Sequence, residues 1–271
     1  MSLAELVLRD FVRVPEPKPT ADGSFLRISS ITSCDRKQIF DGFQLPIRYE
    51  GDEAINGFVA REIGNTLHDC IQEAFATDKQ AIRDFECEIP VSIPYALTSG
   101  HTDGVYKAPS GERRILEIKT MRNYGFRKAR NDNMPKEEHL FQATAYALAL
   151  DVHYIHMVYV CTDATPGKWK DSAKAGDMYE WVFNIHDDIS DTGASLSQMT
   201  AYFLEQHKDM AQNVLDTGLL PIGLLSSWNG TFQSEDELPW ECRYCPHLEV
   251  CPTVSYVEDV LQIKESYDST N

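Results

Sequence analysis

The sequence has no apolar run approaching the roughly 18 residues that a bilayer-spanning helix needs. Its start, Met-Ser-Leu-Ala-Glu-Leu-Val-Leu-Arg-Asp, lacks the basic flank and cleavage site of a signal peptide, so a soluble, cytoplasmic protein is expected. Positive charge is also scarce: 25 Lys and Arg stand against 42 Asp and Glu, a net charge of -17. That deficit excludes broad, nonspecific attraction to nucleic acid, because a polyanion is repelled by the averaged field of such a surface. Contact with DNA must then use a local basic patch. No internal repeat or low-complexity segment is present, and the seven cysteines of an intracellular chain are not expected to form disulfides.

What is present is enough apolar material for a full core. With 271 residues and 42% hydrophobic, the chain suits one large domain or two small ones. Its densest chemistry lies between Gly100 and Thr120. Gly-His-Thr-Asp-Gly-Val-Tyr and Arg-Ile-Leu-Glu-Ile-Lys-Thr read as two short strands joined by a polar turn at Ser110 and Gly111. Asp103 sits on the first strand, and Glu117 and Lys119 lie near the end of the second. Side chains alternate along a strand, so Glu117 and Lys119 share a face while Ile118 points the other way, into the core. Two carboxylates and an amine so placed can hold a metal beside a cation. The plainer reading is a turn-capping Asp103 and a Glu117–Lys119 surface ion pair, which is common and worth little.

Directly downstream, Lys119, Arg122, Arg127, Lys128 and Arg130 put five cations into twelve residues, interleaved with Tyr124 and Phe126. The pattern suits phosphate contact with base stacking, and a solvated basic loop is the plainer alternative.

Residues 1–27 read as a short amphipathic helix and a Pro-rich connector. A helix is predicted from Ser29 and Ser30, with Cys34 in its first turns. Residues 53–76 give the clearest helix, with Ile55, Phe58, Val59, Ile63, Leu67, Ile71 and Phe75 as its apolar stripe. His68 lies beside that stripe, one turn after Gly64; a lone histidine there is more often structural than a ligand. A strand is predicted over Asp84–Pro94, with Phe85, Cys87, Ile89 and Val91 on one face. Pro135 opens a helix reaching Leu150, on which Gln142 and Tyr146 share a face and, if buried, need partners. Strands follow at 154–162 and 178–185 around a polar loop, then a helix over 190–217 that stops at Gly218. This order suggests an α/β sandwich around a mixed sheet.

Cys70, Cys87 and Cys161 fall on elements expected to pack inward and read as small core residues. The run Cys242-Arg-Tyr-Cys245-Pro-His-Leu-Glu-Val-Cys251 is different. Its Cys-x2-Cys-x5-Cys spacing gathers three thiolates for a metal or an iron-sulfur cluster, and the fourth ligand must come from elsewhere. Cys34 is the leading candidate and would tie the two ends of the chain together. His247 would instead complete a Cys3His zinc site.

In this order, Gly64-x3-His68, Gly100-His-Thr-Asp103-Gly, Glu117-Ile-Lys119 and Gln142-x3-Tyr146 resemble the RecB-type branch of the PD-(D/E)XK nucleases. With Cys34 and the cysteine triplet added, the chain is similar to the iron-sulfur members, which include CRISPR-associated exonucleases and the AddB nuclease domain. The likeness runs over roughly residues 29 to 252. It implies a restriction-endonuclease-like core in a single nuclease domain at 28–255, followed by a tail at 256–271. It further implies that Asp103 and Glu117 bind Mg or Mn, with His68 as a further ligand and the Ile118 carbonyl completing the shell. Lys119 then orients or helps deprotonate the attacking water, Gln142 and Tyr146 contact DNA, and Cys34, Cys242, Cys245 and Cys251 hold a structural [4Fe-4S] cluster. Thr102 stands where the superfamily's name has Pro, and no Gly-x4-Gly-Lys-Ser/Thr motif provides an ATP motor.

The expected function is a metal-dependent, ATP-independent DNA exonuclease acting on single strands or free ends. A noncatalytic DNA-end binder or assembly subunit, and an endonuclease of a restriction or recombination system, are the alternatives. The acidic charge adds the expectation of a homo-oligomer or a DNA-processing partner protein.

Overall fold

The computed structural model describes residues 24–45, 52–78, 82–164, 173–189, 193–224, 238–243 and 245–268. The expected N-terminal helix and connector therefore lie almost wholly outside the described residues, as does most of the polar loop before residue 176. The elements are β1 (Leu26–Arg27), α1 (Asp35–Gly42), α2 (Asp52–Thr77), β2 (Arg83–Ile93), β3 (Thr98–Lys107), β4 (Arg113–Met121), α3 (Asn123–Asp132), α4 (Glu137–Ala149), β5 (Tyr154–Cys161), β6 (Met178–Asn184), α5 (Leu196–Thr217), α6 (Trp240–Arg243) and α7 (Val257–Asp268). They divide into two compact units: a first of Met1–Phe58, Ile93–Ser99 and Leu204–Asn271, and a second of Val59–Ser92 and Gly100–Phe203. No described helix is long and apolar enough to cross a membrane.

The second unit is an α/β layer structure whose mixed sheet is flanked by helices. β3 and β4 form the expected hairpin, antiparallel, with Gly104 opposite Leu116. β4 and β5 run parallel, placing Glu117 beside Met157 and Lys119 beside Tyr159. β5 and β6 are antiparallel again, and β2 joins through β3. A strand inside a parallel pair is covered on both faces, which is why β5 reads as a nearly continuous apolar run. On one face Leu116, Ile118, Val158 and Val160 pack with Ile71, Leu67 and Phe75 of α2. Full burial of each such aliphatic side chain contributes about 1.5–3 kcal/mol. The other face, bearing Glu117 and Lys119, is covered by α4, whose Ala143, Ala145 and Ala147 are fully buried and let the helix lie close.

In the first unit β1 pairs in parallel with Thr98 and Ser99. Leu26, Ile39, Ala211 and Val214 form one core cluster there, and Phe40, Leu45, Val254 and Val260 another.

Several local expectations are corrected. The helix expected from Ser29 is a 3₁₀ turn over Ile28–Ser30 followed by α1, and Cys34 is the N-cap of α1 rather than part of its first turns. Its backbone is non-helical (φ -53°, ψ 129°), while its carbonyl accepts the first helical bond, from the Gln38 N–H at 3.1 Å. Along the apolar stripe of α2 Ile71 is buried and Leu67 and Phe75 are partly buried, whereas Val59 and Ile63 are exposed. Of the three cysteines expected in the core, Cys70 and Cys87 are exposed as well and Cys161 is buried. Cys70 lies off the Leu67–Ile71–Phe75 stripe, and the pleat of β2 is interrupted where Asp84 and Glu88 take positive φ (50° and 51°). The basic stretch is helix α3, not a loop, and Phe126 is 1% exposed, so its ring is core and not a base-stacking platform.

Candidate active site

The hairpin brings the two carboxylates and the lysine together. Asp103 Oδ2 accepts the backbone N–H of Ile118 at 2.6 Å, and its Oδ1 lies 3.4 Å from His68 Nδ1. Thr102, just before it, is fully buried, and its single hydroxyl hydrogen is shared between the Gly104 and Leu116 carbonyls, each at 3.3 Å, across the β3–β4 pair. Glu117 is 1% exposed; its Oε1 lies 2.7 Å from Lys119 Nζ. Lys119 Nζ also donates to Gln142 Oε1 at 2.9 Å, and Gln142 Nε2 donates to the Tyr146 hydroxyl at 3.2 Å. His68 reaches the site because α2 passes close to β4 one turn earlier: a Cβ on Gly64 would sit 3.1 Å from Thr120 Oγ1.

Burial dominates the electrostatics. It pushes the Glu117 carboxyl well above the usual carboxylate range, with Lys119 opposing the rise and Asp103 adding to it. Burial alone would lower the Lys119 amine, but Glu117 and Asp103 outweigh it and raise the pKa, so the lysine keeps its proton. Burial likewise opposes protonation of His68, and the Asp103 carboxylate reverses the sign and raises it. Glu117 Oε2 is buried without a hydrogen-bond partner. Among the described residues no three His, Cys, Asp or Glu side chains are arranged as a ready metal cage. Each carboxylate instead turns toward a protein donor.

With this geometry in view, residues 60–252 match the family model of the PD-(D/E)XK nuclease superfamily. The chain belongs to that superfamily. Among solved structures it is similar to SSO0001, at 15% identity and a TM-score of 0.49 over 93% of this chain and 96% of that one. It is also similar to an alkaline exonuclease, LHK-Exo from Laribacter hongkongensis, at 12% identity and a TM-score of 0.42 over 73% of this chain and 95% of that one. No curated protein matches the sequence.

The other residues singled out in this nuclease-superfamily chain fall as follows. Gln142 and Tyr146 are 8% and 2% exposed, with their polar atoms directed at Lys119 and at each other. Arg122, the N-cap of α3, and Lys128 are exposed, Arg127 and Arg130 half-buried, Lys128 lies 4.0 Å from Asp132, and Tyr124 is 80% exposed. Sequence reasoning missed Gln72, whose Nε2 donates to the Asp103 carbonyl at 2.9 Å and to Glu88 Oε1 at 2.8 Å. The four-residue spacing Gly64, His68, Gln72 along one helix face was the available signal. Glu88 was missed for lack of any signal, since its carboxylate reaches Gln72 through a left-handed backbone.

The cysteine constellation lies in the first unit. Cys34, Cys242, Cys245 and Cys251, with Phe40 and Leu248, line one cavity of ≈ 110 Å³. The four are free thiols. Burial and then the neighbouring sulfurs push the Cys242 thiol up to about 11, and burial raises Cys245 and Cys251 also. The loops are held by Arg36, whose guanidinium donates to the carbonyls of Cys251 at 2.7 Å, Val254 at 2.5 Å and Pro221 at 3.3 Å. A Cβ on Gly223 would collide with Arg36 Cδ, so that glycine admits the arginine. His247 does not line the cavity; its Nε2 lies 2.9 Å from Asp41 Oδ1 and its ring packs edge-on to Phe40.

Proposed function

We propose that this chain is a metal-dependent DNA nuclease of the RecB-like, iron-sulfur branch, hydrolysing phosphodiester bonds at single-stranded or free DNA ends without ATP. The observation that carries the reading is the buried Glu117 carboxyl, with Oε2 unpartnered, beside Asp103 and a protonated Lys119. A buried carboxylate oxygen without a donor is costly, and hard divalent cations take such oxygens as ligands. A Mg or Mn ion held by Asp103, Glu117, His68 and the Ile118 carbonyl would neutralise charge on the phosphate and acidify a water. Lys119, braced between Glu117 and Gln142, keeps its charge on the site, which supports orienting the attacking water over acting as its base. Tyr146 holds the amide of Gln142 so that its oxygen faces the lysine.

Four sulfur donors around an apolar cavity, with His247 engaged by Asp41, support a four-cysteine site over a Cys3His one. In this reading Cys34, Cys242, Cys245 and Cys251 hold a [4Fe-4S] cluster with a structural role. A brown protein with broad visible absorption is the expected outcome, and a colourless, zinc-stoichiometric preparation purified without oxygen sinks the cluster. The activity is tested by a time course on end-labelled single-stranded, duplex and circular DNA with Mg, Mn or chelator. Cleavage of linear strands from an end, lost with chelator and in folded Asp103→Ala, is expected. Circular single strands cut as readily as linear ones make it an endonuclease, and binding without cleavage makes it a DNA-end binder.

A further inference from the structure

We propose that His139 is a phosphate-binding residue of this site, its Nε2–H donating to a non-bridging oxygen of the DNA strand beside the linkage being cut. The proposal rests on the nuclease reading above and extends it to a residue outside the four motifs. Lys119 and Tyr159 are partners across the parallel β4–β5 ladder. Their side chains therefore rise side by side from one face of the sheet, on strands about 4.8 Å apart. α4 covers that face, and on it His139 and Gln142 are three residues apart and so share a side. Each takes one of the strand partners: Gln142 bonds Lys119, and His139 Nδ1 lies 2.5 Å from the Tyr159 hydroxyl. His139 is thus one strand over from the lysine.

The hydrogen bonds determine which ring nitrogen carries the proton. The Tyr159 oxygen already accepts the backbone N–H of Lys136 at 2.9 Å. Burial pushes the Tyr159 phenol up, so it stays protonated and its single hydrogen goes to His139 Nδ1. Burial, then the charges of Lys119 and Lys136, hold the His139 ring down to about 3, so it is neutral. A neutral ring that accepts at Nδ1 must carry its hydrogen on Nε2. That donor has no acceptor in hydrogen-bond range among the described residues: Glu138 Oε1 is 3.9 Å away and is itself 3.1 Å from Lys136 Nζ. The side chain is 18% exposed. An oriented, half-buried donor in the field of two lysines fits an anionic oxygen, and phosphate is the anion a nuclease brings there.

The test is steady-state cleavage of an end-labelled single-stranded oligonucleotide with Mn by the parent, His139→Ala and His139→Gln. Loss of a hydrogen bond to a charged group predicts a KM roughly ten-fold higher in His139→Ala with kcat little changed, and partial rescue by glutamine. Methylphosphonate, which removes one anionic oxygen, is placed in turn at the linkages flanking the cut. One position is expected to raise KM in the parent and to add nothing in His139→Ala. Tyr159→Phe, which frees the ring but keeps the packing, is expected to raise KM by less than His139→Ala. Unchanged KM in His139→Ala, or penalties that simply multiply at every linkage, overturns the proposal while cleavage by the parent leaves the nuclease reading standing. No cleavage by the parent with Mg or Mn overturns the nuclease reading, and the proposal with it. If His139→Ala does not fold, the glutamine variant with the methylphosphonate series decides.

Discussion

The carboxylate site of the second unit and the cysteine cavity of the first hold buried titratable groups in opposite ways. Around Glu117 the polar groups are paired with one another, with Lys119 braced by Glu117 Oε1 and Gln142 Oε1 and Asp103 by the Ile118 N–H and His68, and Glu117 Oε2 is left without a hydrogen-bond partner. In the cysteine cavity Cys242, Cys245 and Cys251 are held toward the neutral thiol, because burial and then the neighbouring sulfurs disfavour thiolates. Charge is carried instead by Arg36, which is spent on backbone carbonyls. A site of neutral thiols must release protons when it binds a metal or cluster, so its occupancy and its stability are linked.

Asp103→Ala or Lys119→Ala is expected to lower DNA cleavage by on the order of 10²–10³-fold, the effect of losing one preorganised electrostatic partner. Lys119→Ala also strips the buried Glu117 carboxyl of its partner and should lower the melting temperature, so activity is compared per folded molecule. A variant that loses activity only in proportion to its lost folded fraction contradicts the division. On the proposed four-cysteine cluster, Cys251→Ser is expected to do the reverse: the visible absorption disappears, and urea titration shows a loss of several kcal/mol, because metal binding couples to folding. Unaltered absorption ends the four-cysteine assignment.

Arg36→Met should cost about 2–4 kcal/mol by leaving buried carbonyls without donors, read from the urea midpoint. A shift below a few tenths would mean that the carbonyls find other donors. His207 supplies a pH test. It is 3% exposed, and burial holds it down to about 4 against an ordinary 6.5. The unfolded state then binds more protons between those values, so stability rises with pH through that window and is lost as pH falls through it. The loss is up to about 3 kcal/mol for that shift, and His207→Leu should flatten the curve between pH 6.5 and 4. The smallest effect is expected from Tyr146→Phe, which removes only the acceptor of the Gln142 amide and should slow cleavage by roughly threefold to tenfold. A drop as large as that of Lys119→Ala would show that Tyr146 touches substrate.

The same contrast explains what was readable beforehand. The hairpin, the long helix and the cysteine spacing rest on periodicities of two, of three to four, and of fixed short intervals, so they were legible within a dozen residues. Helix α3 was not, because it buries little more than Phe126 and Ala129 and its surface is charged. The exposure of Cys87 depended on positive φ at Asp84 and Glu88, which no side-chain pattern announced.

By itself, then, the sequence determined the motif residues, their order and the alternation that separates Glu117 and Lys119 from Ile118, since these follow from local backbone geometry. Only the tertiary structure decided what each of them meets. The register of β4 on β5 sets Lys119 beside Tyr159, and the placement of α4 over that pair hands one to Gln142 and the other to His139. The folding of the first unit gathers Cys34 with three cysteines two hundred residues later around one cavity. Those pairings are long-range, set by which faces bury together, and short-range pattern carries no information about them.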